Sequence, residues 1–149
     1  DYEKNTSDIV VRHLECNQEF HTTWLKFSQG ATPCPNCRGS FGEQQIKGYL
    51  QLHKISYSYG YLIPGLKAKR ELHFDFWLPQ YKVAIEYDGQ QHFRATDFAG
   101  RGKEWAKQQL EKVQKHDQMK NAYCKDHGIK LIRIPYTLSV NQVLDKELI

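Results

Sequence analysis

The stretch VAIEYDGQQHF, Val83 to Phe93, begins as an apolar strand and then presents Glu86, Asp88 and His92 within seven positions. Carboxylates at that density can ligate a hard divalent cation, and an imidazole beside them can move a proton. A second acidic strand precedes it. In LHFDFWL, side-chain alternation places Phe74, Phe76 and Leu78 on one face and His73, Asp75 and Trp77 on the other. In KVAIEYD, Val83, Ile85 and Tyr87 form the apolar face, opposite Ala84, Glu86 and Asp88. A four-residue connection, Pro79 to Lys82, pairs Leu78 with Val83 and sets Asp75 directly across from Glu86. Like charges opposed on a sheet destabilise it, and a divalent cation between them removes that cost. Asp75 and Glu86, completed by water, therefore make a reasonable Mg²⁺ (or Mn²⁺) site; the bland alternative is a solvated polar face.

A third carboxylate comes from further along the chain. From about Lys103 to Asp126, Ala106, Leu110, Val113, Asp117 and Cys124 recur at helical spacing, so Asp117 stands where an amphipathic helix would place a leucine. A charged group in that stripe needs a buried partner, and His92 is the natural one. A carboxylate that orients a histidine raises its basicity and fixes its tautomer, as a general base requires; a purely structural hydrogen bond is the alternative.

Three of the four cysteines fall early, where His13-x2-Cys16 and Cys34-x2-Cys37 are separated by seventeen residues. This is the spacing of two zinc knuckles, one with histidine replacing cysteine. His21 competes with His13, which is preferred because it mirrors the Cys-x2-Cys spacing. Four ligands close the tetrahedron, so the expected Zn²⁺ is structural and holds together a segment too small for its own core. Disulfides would leave a cysteine over in a chain expected to be intracellular.

These residues need a scaffold. Between the knuckles, EFHTTWLKF has strand-like content, and SFGEQQIKGYLQLHKI reads as a helix from about Phe41 to Lys54, with Ser40 and Glu43 matching a capping box. YSYGYLIPGLKAKR is a strand running into an exposed basic loop, followed by the acidic hairpin and the long helix ended by Gly128. IKLIRIPY is a further strand, expected to be central, and SVNQVLDKEL a closing helix capped by Ser139. The order implies an α/β (α+β) fold: a zinc-ribbon domain over 1–40 and a mixed-sheet domain flanked by helices over 41–149.

With 149 residues, 40% hydrophobic and 26% charged, the chain can bury a core and is not disordered in composition. A net charge of +4 suits a polyanionic partner without requiring one. No apolar run approaches the ~20 residues of a membrane span, and no signal-peptide pattern opens the chain. A soluble, cytoplasmic protein is expected, with no membrane partner. Beginning at Asp1 rather than methionine, the sequence reads as part of something longer.

Taken together, FDFWLP, IEYDGQQHF, HDQMK on a later helix and LIRIPY resemble the Vsr-like branch of the PD-(D/E)xK nuclease superfamily, which includes very-short-patch repair and phage or intron homing endonucleases. The resemblance covers about Gly42 to Tyr136, and a zinc ribbon commonly accompanies the phage-type members. It implies a restriction-endonuclease-like core and a Mg²⁺-dependent DNA endonuclease in a phage or bacterial host cell. Carried over by position, it implies Glu43 as the signature glutamate, Asp75 as metal ligand, His92 as the residue that activates water and Asp117 as its orienter. It also places the Tyr87 carbonyl as a further metal ligand. Two departures matter. Asp88 stands where the wider superfamily has lysine, making it a candidate ligand, and Lys120, one turn from Asp117, can supply a relocated cation. Glu86 is itself acidic where the repair enzymes need not be.

Lys67, Lys69, Arg70, Arg94, Arg101 and Lys103 are candidate phosphate contacts, any one of which can equally be a solvated charge. Double-stranded DNA is the expected partner, bound by a monomer or a homodimer. The rivals are a non-catalytic, zinc-stabilised DNA-binding module and a zinc-stabilised protein-interaction domain.

Overall fold

The computed structural model describes residues 7–14, 17–29, 34–35, 39–97 and 99–148. The chain divides into two compact units, Asp1–Gln44 and Gln45–Ile149.

In the first unit, β1 (Asp8–His13) and β2 (Gln18–Thr23) form an antiparallel pair in which Arg12 lies across from Glu19 and forms an ion pair with it. The expected strand over EFHTTWLKF stops at Thr23, because Thr23 is extended and its hydroxyl accepts the Lys26 N–H at 3.4 Å, starting α1 (Trp24–Ser28). His13 closes β1 and Cys34 is buried, whereas His21 is exposed opposite Val10. Cys16 and Cys37 lie outside the described residues, so the zinc set is seen only through His13 and Cys34. The helix α2 (Phe41–Leu52) opens with the expected reciprocal cap: Glu43 N–H donates to Ser40 Oγ at 3.3 Å, and Ser40 N–H donates to the Glu43 carboxylate. It ends two residues earlier than expected, as Lys54 takes a left-handed backbone with φ of 54°.

The second unit is built on a sheet ordered β3-β4-β5-β6, from β3 (Ser58–Lys67), β4 (Glu71–Leu78), β5 (Val83–Asp88) and β6 (Lys130–Pro135). The first three strands are antiparallel; β6 runs parallel to β5, a connection that requires a crossover, here α3 (Lys103–Asp126). Among the described residues β6 pairs only with β5, so it stands at the sheet edge rather than at its centre as the sequence suggested. The β4–β5 register is the expected one, with Leu78 opposite Val83 and Phe76 opposite Ile85.

Strand parity assigns the two faces. Phe76, Leu78, Val83, Ile85, Ile132 and Ile134 pack with Ile46, Tyr49 and Leu50 of α2 and with Val140 and Leu144 of α4 (Val140–Leu148). Ala84 points the other way, to Cys124, Met119 and Tyr123 of α3. Phe74, just past the point where β4 leaves its ladder with β5, packs with Ile63 and Leu72 in this second cluster instead of joining Phe76. Thus α2 and α4 cover one side of the sheet and α3 the other.

Ile85 is fully buried, whereas Leu62 is more than half exposed. We expect Ile85→Ala to cost about 2–5 kcal/mol in urea unfolding, from lost transfer energy and the cavity left behind. Leu62→Ala should stay within about 0.5 kcal/mol of the parent.

Candidate active site

The α3-facing side of the sheet is apolar at Ala84 and Leu131 and turns polar toward the ends of β5 and β6. Beyond Phe76 and Ile85, carboxylates replace the backbone ladder between β4 and β5. The Asp75 N–H donates to Glu86 Oε1 at 3.1 Å, and the Tyr87 N–H donates to Asp75 Oδ2 at 2.8 Å. Each acid thus serves the backbone of the facing strand, which holds the two side by side. Glu86 is only 2% exposed, and its other oxygen accepts from Lys120 Nζ of α3 at 2.8 Å. Burial, then the neighbouring Asp75 charge, pushes the Glu86 carboxyl up to about 7; Lys120 and Arg133 act against both.

Two residues along the same face, Asp88 is buried and accepts from Arg133 at 2.7 Å. The chain then makes a single 3₁₀ turn, Gln90–His92, which returns His92 to within 3.6 Å of Asp88. His92 Nδ1 lies 2.8 Å from Asp117 Oδ2 of α3, and Arg133 donates to the other Asp117 oxygen at 3.2 Å. The Asp117 hydrogen bond raises the His92 pKa, burial opposes it, and the Asp117 and Asp88 charges add to the rise. Burial pushes the Asp117 carboxyl up, but the His92 hydrogen bond and the Arg133 charge outweigh it and hold it below the usual carboxylate value.

The structure therefore brings together Asp75, Glu86, Tyr87, Asp88, His92, Asp117 and Lys120 from β4, β5, the 3₁₀ turn and α3. Asp88, a candidate metal ligand from the sequence, accepts from Arg133 and lies 3.6 Å from His92. Glu43 is described with the first unit, as the capping residue of α2. Lys67, Lys69, Arg70, Arg94, Arg101 and Lys103 are all exposed. Arg101 lies over the Trp105 ring, and its N–H and that of Gly102 donate to Asp97 at 2.7 Å, shaping the loop before α3.

Arg133 is the residue that sequence reasoning missed. Its signal was parity: in LIRIPY it alternates with Ile132 and Ile134, which places it on the α3 side, in register with Glu86. Cys124 is a core thiol, pushed up to about 11 by burial and then by the Glu86 charge.

Among the described residues Asp88, His92 and Asp117 have the spacing of a possible metal site, their ligand atoms all lying within 4.8 Å of one another, while Asp75 and Glu86 present hard oxygens on facing strands.

No protein-family model matches the chain. The chain is 35% identical over 130 residues to "Uncharacterized protein 033L" of Invertebrate iridescent virus 3, a match spanning 87% of this chain and 51% of that protein. It is 39% identical over 69 residues to "Uncharacterized protein 094L" of Frog virus 3 (isolate Goorha), covering 46% of this chain and 43% of the relative. A third relative, "Uncharacterized protein 307L" of Invertebrate iridescent virus 6, is 31% identical over 74 residues, 50% of this chain and 36% of its own. The chain spans about half, or less, of the length of these curated relatives. Among the described residues no helix is long and apolar enough to cross a membrane.

The Glu86 environment makes a signed prediction for the metal-free protein. Its folded pKa, about 7, exceeds the ordinary 4.5, so between these values the folded state holds a proton that the unfolded state has lost. Its contribution is fully present below about pH 4.5 and is lost as pH rises through about 7. In EDTA, urea titrations across this window should show Glu86→Gln removing a downward component of the stability profile; an unchanged slope contradicts the assignment.

Proposed function

We propose that the chain is a Mg²⁺-dependent DNA endonuclease of the Vsr-like PD-(D/E)xK type, with a restriction-endonuclease-like core and a zinc ribbon ahead of it. The observation that carries the reading is the convergence of Asp75, Glu86 and Lys120 with the His92–Asp117 pair on one side of one sheet. A solvated polar face gives no reason for an acid 2% exposed beside another acid.

The donor set fits the ion. Asp75 and Glu86 are hard oxygen ligands held side by side, and burial, then the Asp75 charge, disfavours the ionised form of Glu86, which Lys120 offsets only in part. An ion held by Asp75, Glu86 and the Tyr87 carbonyl would supply Lewis-acid stabilisation of the scissile phosphate and acidify water. Lys120 fixes Glu86 and adds a positive charge beside it. His92 Nδ1–H donates a hydrogen bond to Asp117, which leaves Nε2 as the nitrogen that accepts a proton from water. The exposed Lys67, Lys69, Arg70, Arg94, Arg101 and Lys103 serve the phosphate backbone. His13, Cys16, Cys34 and Cys37 would hold a structural Zn²⁺ in the ribbon.

The rival is a DNA-binding module without catalysis, favoured by the way Lys120 and Arg133 already neutralise much of the acidic cluster. Supercoiled plasmid separates the two. The parent should nick or cut it with Mg²⁺ or Mn²⁺, Asp75→Ala should abolish cutting, and His92→Ala should slow it by about 10²–10⁴-fold. Salt-sensitive binding without cutting, or an Asp75→Ala variant that cuts like the parent, establishes the rival. Elemental analysis should find one Zn²⁺ per chain, lost in Cys37→Ser; a full complement in that variant removes the zinc assignment.

A further inference from the structure

We propose that Arg133 is a built-in cation, occupying between Asp88, His92 and Asp117 the place where a second divalent ion would otherwise be held. The inference rests on the ion-binding reading of Asp75 and Glu86, and adds to it a residue that fixes how many ions the site takes.

The geometry is that of an occupied ion site. Asp88, His92 and Asp117 offer ligand atoms within 4.8 Å of one another, the spacing of a metal-binding set. The position between the two carboxylates is already taken by a guanidinium: Arg133 donates to Asp88 at 2.7 Å and to Asp117 at 3.2 Å. Its remaining edge is fixed as well, since Nε donates to Asn121 Oδ1 at 3.0 Å and a further contact reaches the Asp117 carbonyl at 3.4 Å. Arginine suits this place because it stays charged at any working pH and its planar fork spans two acids at once. Lysine, a point charge on a flexible stem, can supply the charge but not the fork.

Charge leads to the same count. The cluster contains the carboxylates of Asp75, Glu86, Asp88 and Asp117 against two basic side chains, Lys120 and Arg133. With His92 neutral and the four acids ionised, two negative charges remain, which one divalent ion neutralises. Without Arg133 three would remain, two of them on Asp88 and Asp117 beside a ready imidazole ligand. Arg133 also holds the Asp117 oxygen opposite the one that orients His92, so it is a positioning residue for that histidine.

The test is the number of Mn²⁺ ions bound, read from the loss of the free Mn²⁺ signal in electron paramagnetic resonance, with circular dichroism to verify folding. Arg133→Met should bind one equivalent more than the parent. Arg133→Lys, which restores the charge, should not. Adding Asp88→Asn to Arg133→Met should remove the extra equivalent. A folded Arg133→Met with no gain overturns the proposal. Asp88→Asn in the parent background covers the case in which Arg133→Met does not fold: an unchanged count supports the proposal, because Asp88 faces the arginine, and loss of an equivalent overturns it. A parent that binds no ion while Arg133→Met binds one upholds the role of Arg133 and instead removes the ion reading of Asp75 and Glu86.

Discussion

Four carboxylates gathered on one side of a sheet, two of them buried, are the constraint around which this unit is organised. Burying ionised groups costs several kcal/mol each unless opposite charge and hydrogen bonds accompany them. The chain meets that demand from three directions. Backbone N–H groups of Asp75 and Tyr87 serve Glu86 and Asp75, α3 delivers Lys120, and β6 delivers Arg133. Each partner dictates something about the fold. The β4–β5 ladder gives way at Asp75, the inner stripe of α3 changes from apolar at Cys124 to charged at Lys120 and Asp117, and an arginine interrupts the apolar alternation of β6.

The other side of the sheet makes this arrangement affordable. Phe76, Ile85 and Ile134 are fully buried under α2 and α4 in a continuous apolar layer, at whose margin Lys47 of α2 lies over the Tyr59 ring. Parity thus separates two tasks along β5: odd positions stabilise, and even positions from Glu86 onward form the candidate site. A substitution on the first face acts on stability alone, whereas one on the second changes charge balance as well.

Much of this was legible in the sequence. Alternation in LHFDFWL and KVAIEYD, with a four-residue connection, sufficed to set Asp75 against Glu86, and a charged residue in the stripe of α3 sufficed to pair Asp117 with His92. The helix bounds Lys103–Asp126 followed from apolar spacing and Gly128. What failed to read through were features set by long-range partners. Nothing local marks β6 as an edge strand, because its apolar residues are buried by helices rather than by a second neighbouring strand. Arg133 has the parity of a site residue, but its partners are 45 and 16 positions away in the chain. Trp24 to Phe27 carries strand-like residues, yet the Thr23 cap turns it into a helix. Asp88, which stands where the resemblance has lysine, accepts from Arg133 of the neighbouring strand, a partner that its position in the sequence did not announce.

The central claim, that this cluster is built to hold a catalytic divalent ion, is tested most directly by anomalous diffraction from crystals soaked in Mn²⁺. The account predicts a peak between the carboxylates of Asp75 and Glu86, with oxygen ligands at about 2.0–2.6 Å. A fully soaked crystal with Lys120 still seated on Glu86 and no peak beside Asp75 would contradict it.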